Sequence, residues 1–163
     1  MSQLDKALDL LKEGKYEESN KLMVALAEQS PDNAYLHYQC ACSFDRIGLE
    51  AEAVPHYERA ILLGLTEKDL SEAYVGLGST YRTLGEYDKA YEVLQTGLRQ
   101  FPDRHAIRVF YSMTLYNLQN HQEAMKELLN CLLDTTTDHQ LLNYKRAIRF
   151  YSDKLDQQWK GSE

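Results

Sequence analysis

The sequence predicts an all-α fold: a solenoid of four helix–turn–helix repeats, followed by one further helix that caps the array. Three observations predict it. First, four stretches align with one another: "EGKYEESNKLMVALAEQSPD" (13–32), "IGLEAEAVPHYERAILLGL" (47–65), "LGEYDKAYEVLQTGLRQFPD" (84–103) and "LQNHQEAMKELLNCLLDTT" (118–136). Gly14, Gly48, Gly85 and Gln119 fall in register, at spacings of 34, 37 and 34 residues. Five residues after each stands a small side chain (Ser19, Ala53, Ala90, Ala124), and four further on a bulky one (Met23, Tyr57, Leu94, Leu128). A fixed period of this length marks a stacked repeat array. Second, the apolar positions recur at three and four, the period of a helix. Third, three prolines and eight glycines in 163 residues are too few for a turn-rich β fold, while 44% hydrophobic and 26% charged residues suit a globular chain.

The first and third repeats close on a proline, Pro31 and Pro102. In the second, Cys40, Ala41 and Phe44 precede the turn at Gly48, and Ala53, Tyr57 and Ala60 follow it. Pro55 lies inside the second helix of that repeat, removes a hydrogen bond to Ala51 and predicts a bend. A three-residue insertion precedes the third repeat. Thr66 reads there as an N-cap, and Leu65 with Leu70 has the spacing of a hydrophobic staple, so the next helix is expected from near Glu67, about one turn early. The third repeat is the clearest. Tyr74, Leu77, Gly78 and Tyr81 form one helical stripe, and Tyr87, Ala90, Tyr91, Leu94 and Leu98 form a second after Gly85. Two short helices cannot bury both stripes alone, so neighbouring repeats must cover them. The fourth repeat is more divergent, with Gln119 at the turn and Arg108 at the first bulky position. Beyond "DTTTDHQ", the positions Leu141, Tyr144, Ile148, Tyr151, Leu155 and Trp159 predict a single helix over about 138–159 that covers the end of the array.

The residues at these positions resemble the tetratricopeptide repeat, in four copies over about 2–134. "GLGSTYRTLGEYDKA", "FPD" and "LYNLQNHQEA" are most similar to a bacterial subfamily of such proteins, a match that implies no activity. The resemblance implies a right-handed α-solenoid, with 1–163 forming one domain of repeats at about 2–32, 33–65, 66–103 and 104–136. It also implies a concave groove lined by the first helix of each repeat. Carried over, the groove stripe is Tyr35, Tyr38, Cys42 and Asp45 in the second repeat, and Glu72, Val75, Ser79 and Arg82 in the third. In the fourth it is Ala106, Val109, Met113 and Tyr116. Helical spacing independently puts each set on one face. The face is apolar and aromatic, with Asp45 and Arg82 as charged markers, and such surface marks protein contacts. Relatives that clamp chaperone C-termini use lysines and asparagines where this chain has Leu4, Leu8, Cys42, Val75 and Ser79, so that clamp is not expected. Gly76 is required neither by the repeat nor by helix propensity, and is expected on the groove side, where a bound chain would approach closely.

Other chemistries find no support. "GLGST" (76–80) lacks the third glycine, the preceding strand and the following lysine of phosphate loops, and G-x-S-x-G is absent. His37 and Cys40 share a helix face, but Cys42 points elsewhere, and buried cysteines of that kind are packing residues rather than metal ligands. The five histidines are dispersed and no catalytic set forms, so the chain reads as non-enzymatic and without a cofactor. A net charge of −7 disfavours nucleic acid. It is uneven: residues 1–75 hold 14 acidic and 7 basic side chains, residues 76–163 hold 11 of each. No apolar run approaches a membrane span and the start does not read as a secretory signal. Three cysteines without disulfide rhythm suit the cytoplasm. The expected function is binding of a peptide or protein segment in the groove. The alternative is self-assembly, a homo-dimer formed through the groove or the C-terminal helix, using Trp159, Tyr151 and the uneven charge. The basic Lys145, Arg146 and Arg149 read as a solvated face, or as a group that meets an acidic partner or the acidic first half of another copy.

Overall fold

A computed structural model of the protein describes residues 2–160. Eight helices form four antiparallel pairs: α1 (Gln3–Lys12) with α2 (Tyr16–Gln29), α3 (Ala34–Arg46) with α4 (Glu50–Leu63), α5 (Glu67–Thr83) with α6 (Tyr87–Gln100), and α7 (His105–Asn117) with α8 (His121–Thr135). Each pair packs on the next, giving the all-α solenoid the sequence predicts. The helix α5 starts at Glu67 as expected, with the Thr66 hydroxyl accepting from the Asp69 amide, and is the longest of the eight. Pro55 is the sixth residue of α4 and exposed, and the helix continues through it to Leu63.

One device makes every intra-pair turn. Gly14, Gly48 and Gly85 have φ of +77°, +72° and +79°, and Gln119 has +63° at the same place in the fourth pair. After each, an amide donates to a carbonyl five residues back: Lys15 to Leu10, Leu49 to Phe44, Glu86 to Tyr81 and Asn120 to Leu115. This is the 6→1 bond of a Schellman helix stop, which needs a left-handed residue and favours glycine. Gln119 adopts the same conformation with a Cβ, at a cost of about 1 kcal/mol. Gln119→Gly is therefore expected to raise the melting temperature by about 2–4 °C, as for any gain of that size in a chain this long. Thermal unfolding followed by circular dichroism checks it.

The core is built at the junctions between pairs. Ala7, Met23 and Ala27 of the first pair enclose Cys40 of the second. Ala41, Ala53 and Tyr57 of the second pack with Ala73, Leu77, Tyr81 and Ala90 of the third. Tyr74 and Leu94 of the third meet Ile107 of the fourth. Within the third pair, a Cβ on Gly78 would lie 2.4 Å from Leu94 Cγ, so only glycine lets α5 and α6 approach this closely.

The C-terminal segment departs from expectation. In place of one helix over 138–159, two short helices form, α9 (His139–Asn143) and α10 (Lys145–Tyr151), broken at Tyr144. The chain then turns twice more, with Lys154 N bonded to Tyr151 O and Gln157 N to Lys154 O. These turns set the Trp159 ring edge-on to Tyr151, 5.3 Å between centroids. Eight residues of straight helix would hold the two about 12 Å apart along the axis, so clustering of the aromatic rings and a continuous helix exclude each other. The segment is held to the flank of α8, where Arg149 bonds Asp134 at 2.8 Å, Gln122 Nε2 donates to the Asp153 carbonyl and Ser152 is buried.

Candidate protein-binding groove

The sequence-predicted site residues all lie on the first helices of the second, third and fourth pairs, α3, α5 and α7. Tyr35, Glu72, Met113 and Tyr116 are exposed, as is the adjoining Ala106. Tyr38, Cys42, Asp45, Val75, Ser79, Arg82 and Val109 are half-buried. They fall into distinct depressions. Tyr38 and Cys42 border one of roughly 170 Å³, shared with Leu11 of α1 and with Arg46 at the end of α3 itself. Glu72, Val75 and Ala106 border another of roughly 270 Å³. Arg82, Met113 and Tyr116 line a third of roughly 430 Å³ with His121, Met125 and Leu128.

Asp45 is the hub of a polar network that the sequence did not suggest. The Tyr57 hydroxyl donates to its Oδ2 at 2.7 Å, and the Thr80 hydroxyl to its Oδ1 at 3.0 Å. Three helices, α3, α4 and α5, therefore meet on one carboxylate. No lysine, arginine or histidine lies within ion-pair distance of it among the described residues. Burial raises its pKa, and the hydrogen bonds from Tyr57 and Thr80 only partly oppose that. Burial likewise raises the Tyr57 and Tyr38 hydroxyls and the Cys42 thiol, and pushes the Cys40 thiol up to about 12. These thiols are packing groups rather than nucleophiles.

The raised Asp45 value has a consequence for stability. The folded state binds this proton more tightly than the unfolded chain, so the contribution of Asp45 falls as pH rises from the ordinary carboxylate value through the raised one. Asn at this position can accept from Tyr57 and donate to Thr80 without a buried charge. Asp45→Asn is expected to match or exceed the wild-type melting temperature at neutral pH and to lose the downward slope above the carboxylate range. Melting curves at a series of pH values check this, and a clear loss of stability at neutral pH would contradict it.

Gly76 is a correction. Expected beside a bound chain, it instead faces the preceding pair: a Cβ there would sit 2.6 Å from Cζ and Oη of Tyr57. The missing side chain is taken up by the Tyr57 ring, the same ring that reaches Asp45. At Arg82, Nη1 donates to Asn117 Oδ1 at 3.3 Å, while Nε is buried without an acceptor. His37 and His56 meet Nδ1 to Nδ1 at 3.0 Å, and Cys40 sits in the first junction core. Among the described residues, no group of three or more His, Cys, Asp or Glu side chains is placed to hold a metal ion. Sequence reasoning placed Tyr57 only in the core and missed Thr80, Met125 and Leu128 as neighbours of the groove. The three-and-four period of the second helices could have flagged Met125 and Leu128, which share a face of α8.

Paired antiparallel helices with left-handed turns at a period near 34, stacked through small-and-bulky junctions, define a helical repeat protein. The chain belongs to the tetratricopeptide repeat family, since a profile of the tetratrico peptide repeat matches residues 34–155. It is 30% identical over 103 residues to the anaphase-promoting complex subunit CDC16 of Saccharomyces cerevisiae, covering 60% of this chain but only 12% of that protein. Among solved structures, MamA superposes with a TM-score of 0.73 at 19% identity, over 87% of this chain and 74% of the other. YrrB, described as a TPR protein with an unusual peptide-binding site, gives 0.69 at 16% identity, over 93% and 77%. The Cut9 and Hcn1 hetero-tetramer of the APC/C gives 0.71 at 16% identity, over 92% of this chain and 29% of the other. At these identities the structures speak to the fold alone. That fold is one of protein–protein interaction modules. No helix among the described residues is long and apolar enough to cross a membrane.

Proposed function

We propose that the groove formed by α3, α5 and α7 holds an extended peptide or protein segment. One observation carries the reading: two charged groups on these helices are left without an ionic partner beside apolar and aromatic surface. Asp45 is half-buried with hydroxyl donors only, and the half-buried Arg82 guanidinium has no carboxylate within ion-pair distance among the described residues. Burying unpaired charge costs stability, so an external counter-charge is their natural complement. The segment would carry a basic group toward Asp45 and an acidic one toward Arg82, with apolar side chains against Tyr38, Val75 and Met113. The peptide-binding site named for YrrB gives the same fold a precedent for such a role. The work of the protein is binding rather than catalysis, in a reducing compartment such as the cytoplasm, where Cys40, Cys42 and Cys131 stay free as they are here.

The test is a library of mixed-charge peptides screened against the purified protein, followed by anisotropy titration of the best binder. Tyr38→Ala and Arg82→Glu are each expected to weaken it by about tenfold or more, equivalent to about 1.4 kcal/mol. Arg82→Glu should melt close to wild type, and Tyr38→Ala, which also removes packing on the Tyr57 core, should melt lower yet stay folded at the assay temperature. Absence of any binder, or a binder indifferent to both substitutions, overturns the reading.

A further inference from the structure

The two ends of the array are finished differently. The helix that follows each pair covers the bulky residue of that pair's second helix: Met23 is 1% exposed, Tyr57 3% and Leu94 0%. At the fourth pair the equivalent Leu128 is 41% exposed, because α10 lies on the flank of α8 and leaves its Met125–Leu128 face open. The depression over Met113, Met125 and Leu128 is the place a next helix would take in this architecture.

The opposite end is closed by its sequence. The positions that face a preceding pair are Leu36, Cys40 and Ser43 in α3, and Ala73, Leu77 and Thr80 in α5, all buried. In register with these, the first repeat carries Ser2, Lys6 and Asp9. That polar face cannot cover Leu128, so the open end is not matched by the start of another copy, and growth head to tail is disfavoured.

A fitting surface does exist on the open end itself. The C-terminal segment exposes Phe150, Tyr151, Leu155 and Trp159, and the rings of Phe150, Tyr151 and Trp159 pack on one another. Of the sixteen large apolar residues exposed in the described chain, eleven lie between Met113 and Trp159. Two groups among them cluster, Met113, Tyr116, Met125 and Leu128 at the depression and the rings of Phe150, Tyr151 and Trp159 beyond it, and clustered exposed apolar surface marks a contact site. The charges match as well: Arg82 at the depression has no carboxylate within ion-pair distance, and Asp156, between Leu155 and Trp159, has no ion-paired or hydrogen-bonded side-chain partner, both among the described residues.

We infer that two copies pair through their C-terminal ends about a two-fold axis, each inserting its Leu155–Trp159 segment over Met113, Met125 and Leu128 of the other, with Asp156 meeting Arg82. The contact is isologous, since slot and segment belong to the same end of one chain, and it closes at two copies. Arg82 and Met113 serve both readings, so a peptide reaching that end of the groove would compete with the pairing, whereas Tyr38 borders a separate depression and belongs to the groove alone.

Sedimentation of the full chain over a wide concentration series tests the pairing. A monomer–dimer equilibrium is expected, ending at the dimer. Leu128→Asp, at a position already exposed, is expected to raise the dimer dissociation constant more than tenfold while the diluted protein melts as wild type. Arg82→Asp and Asp156→Arg should each weaken the dimer, and the double exchange should restore it. Tyr38→Ala, which tests the groove, should leave the dimer intact. A monomer at every concentration, a series growing beyond the dimer, indifference to Leu128→Asp, or a double exchange without recovery each overturns the inference.

Discussion

Gly76→Leu is expected to unfold the junction between the second and third pairs before it affects any ligand. The space beside Gly76 is filled by the Tyr57 ring, which has Ala41, Ala53, Ala73 and Leu77 in the same core and cannot retreat. Overpacking of this kind costs about 1–3 kcal/mol. Displacing the ring also breaks the Tyr57–Asp45 bond and leaves a half-buried carboxylate short of a donor, a further loss of about 1–3 kcal/mol. Replacing a mid-helix glycine returns about 1 kcal/mol. A net loss near 3 kcal/mol corresponds to a melting temperature lower by roughly 6–12 °C in a chain of this size. Thermal and urea unfolding measure it. A double-mutant cycle with Tyr57→Ala identifies the cause, because removing the ring should make the two substitutions strongly non-additive. Unchanged stability with lost peptide binding would return Gly76 to the groove.

The contrast at Gly76 shows how far sequence reasoning reached. The four turns were legible, Gln119 included, because a repeated period compares each position with its counterparts, and φ of +63° at Gln119 follows from its register with three glycines. The junction cores were legible for the same reason, since a helix pair with two apolar stripes needs neighbours. Gly76 was not, because the group that explains it stands on the previous repeat, and helical spacing says nothing of which side chain fills the space opposite. Asp45 and Arg82 were legible as charges on the first helices, but Thr80 was not tied to Asp45, because that link crosses two repeats. The C-terminal helix failed differently. Its three-and-four pattern fits a helical stripe, yet Tyr151 and Trp159 gain more from each other across a turn than from a straight helix with nothing opposite.

Leu94→Ala and Leu128→Ala make the most direct measurement of the unequal ends. The two residues hold the same place in successive repeats and remove the same atoms. Leu94 is wholly enclosed between α5, α6 and α7, so its truncation leaves a cavity and is expected to cost about 2–5 kcal/mol. Leu128 already faces water on one side, and in dilute solution its truncation is expected to cost less than about 1 kcal/mol, as for a partly exposed position. Equal losses would mean that the end of the array is covered in the monomer, with α9 and α10 lying over α8 rather than along its flank. Concentration separates the remaining possibilities. A surface that pairs with a second copy gains stability by mass action, so the deficit of Leu128→Ala against wild type should widen as the protein is concentrated. The Leu94→Ala deficit should not, because the cavity it opens lies inside the chain at any concentration.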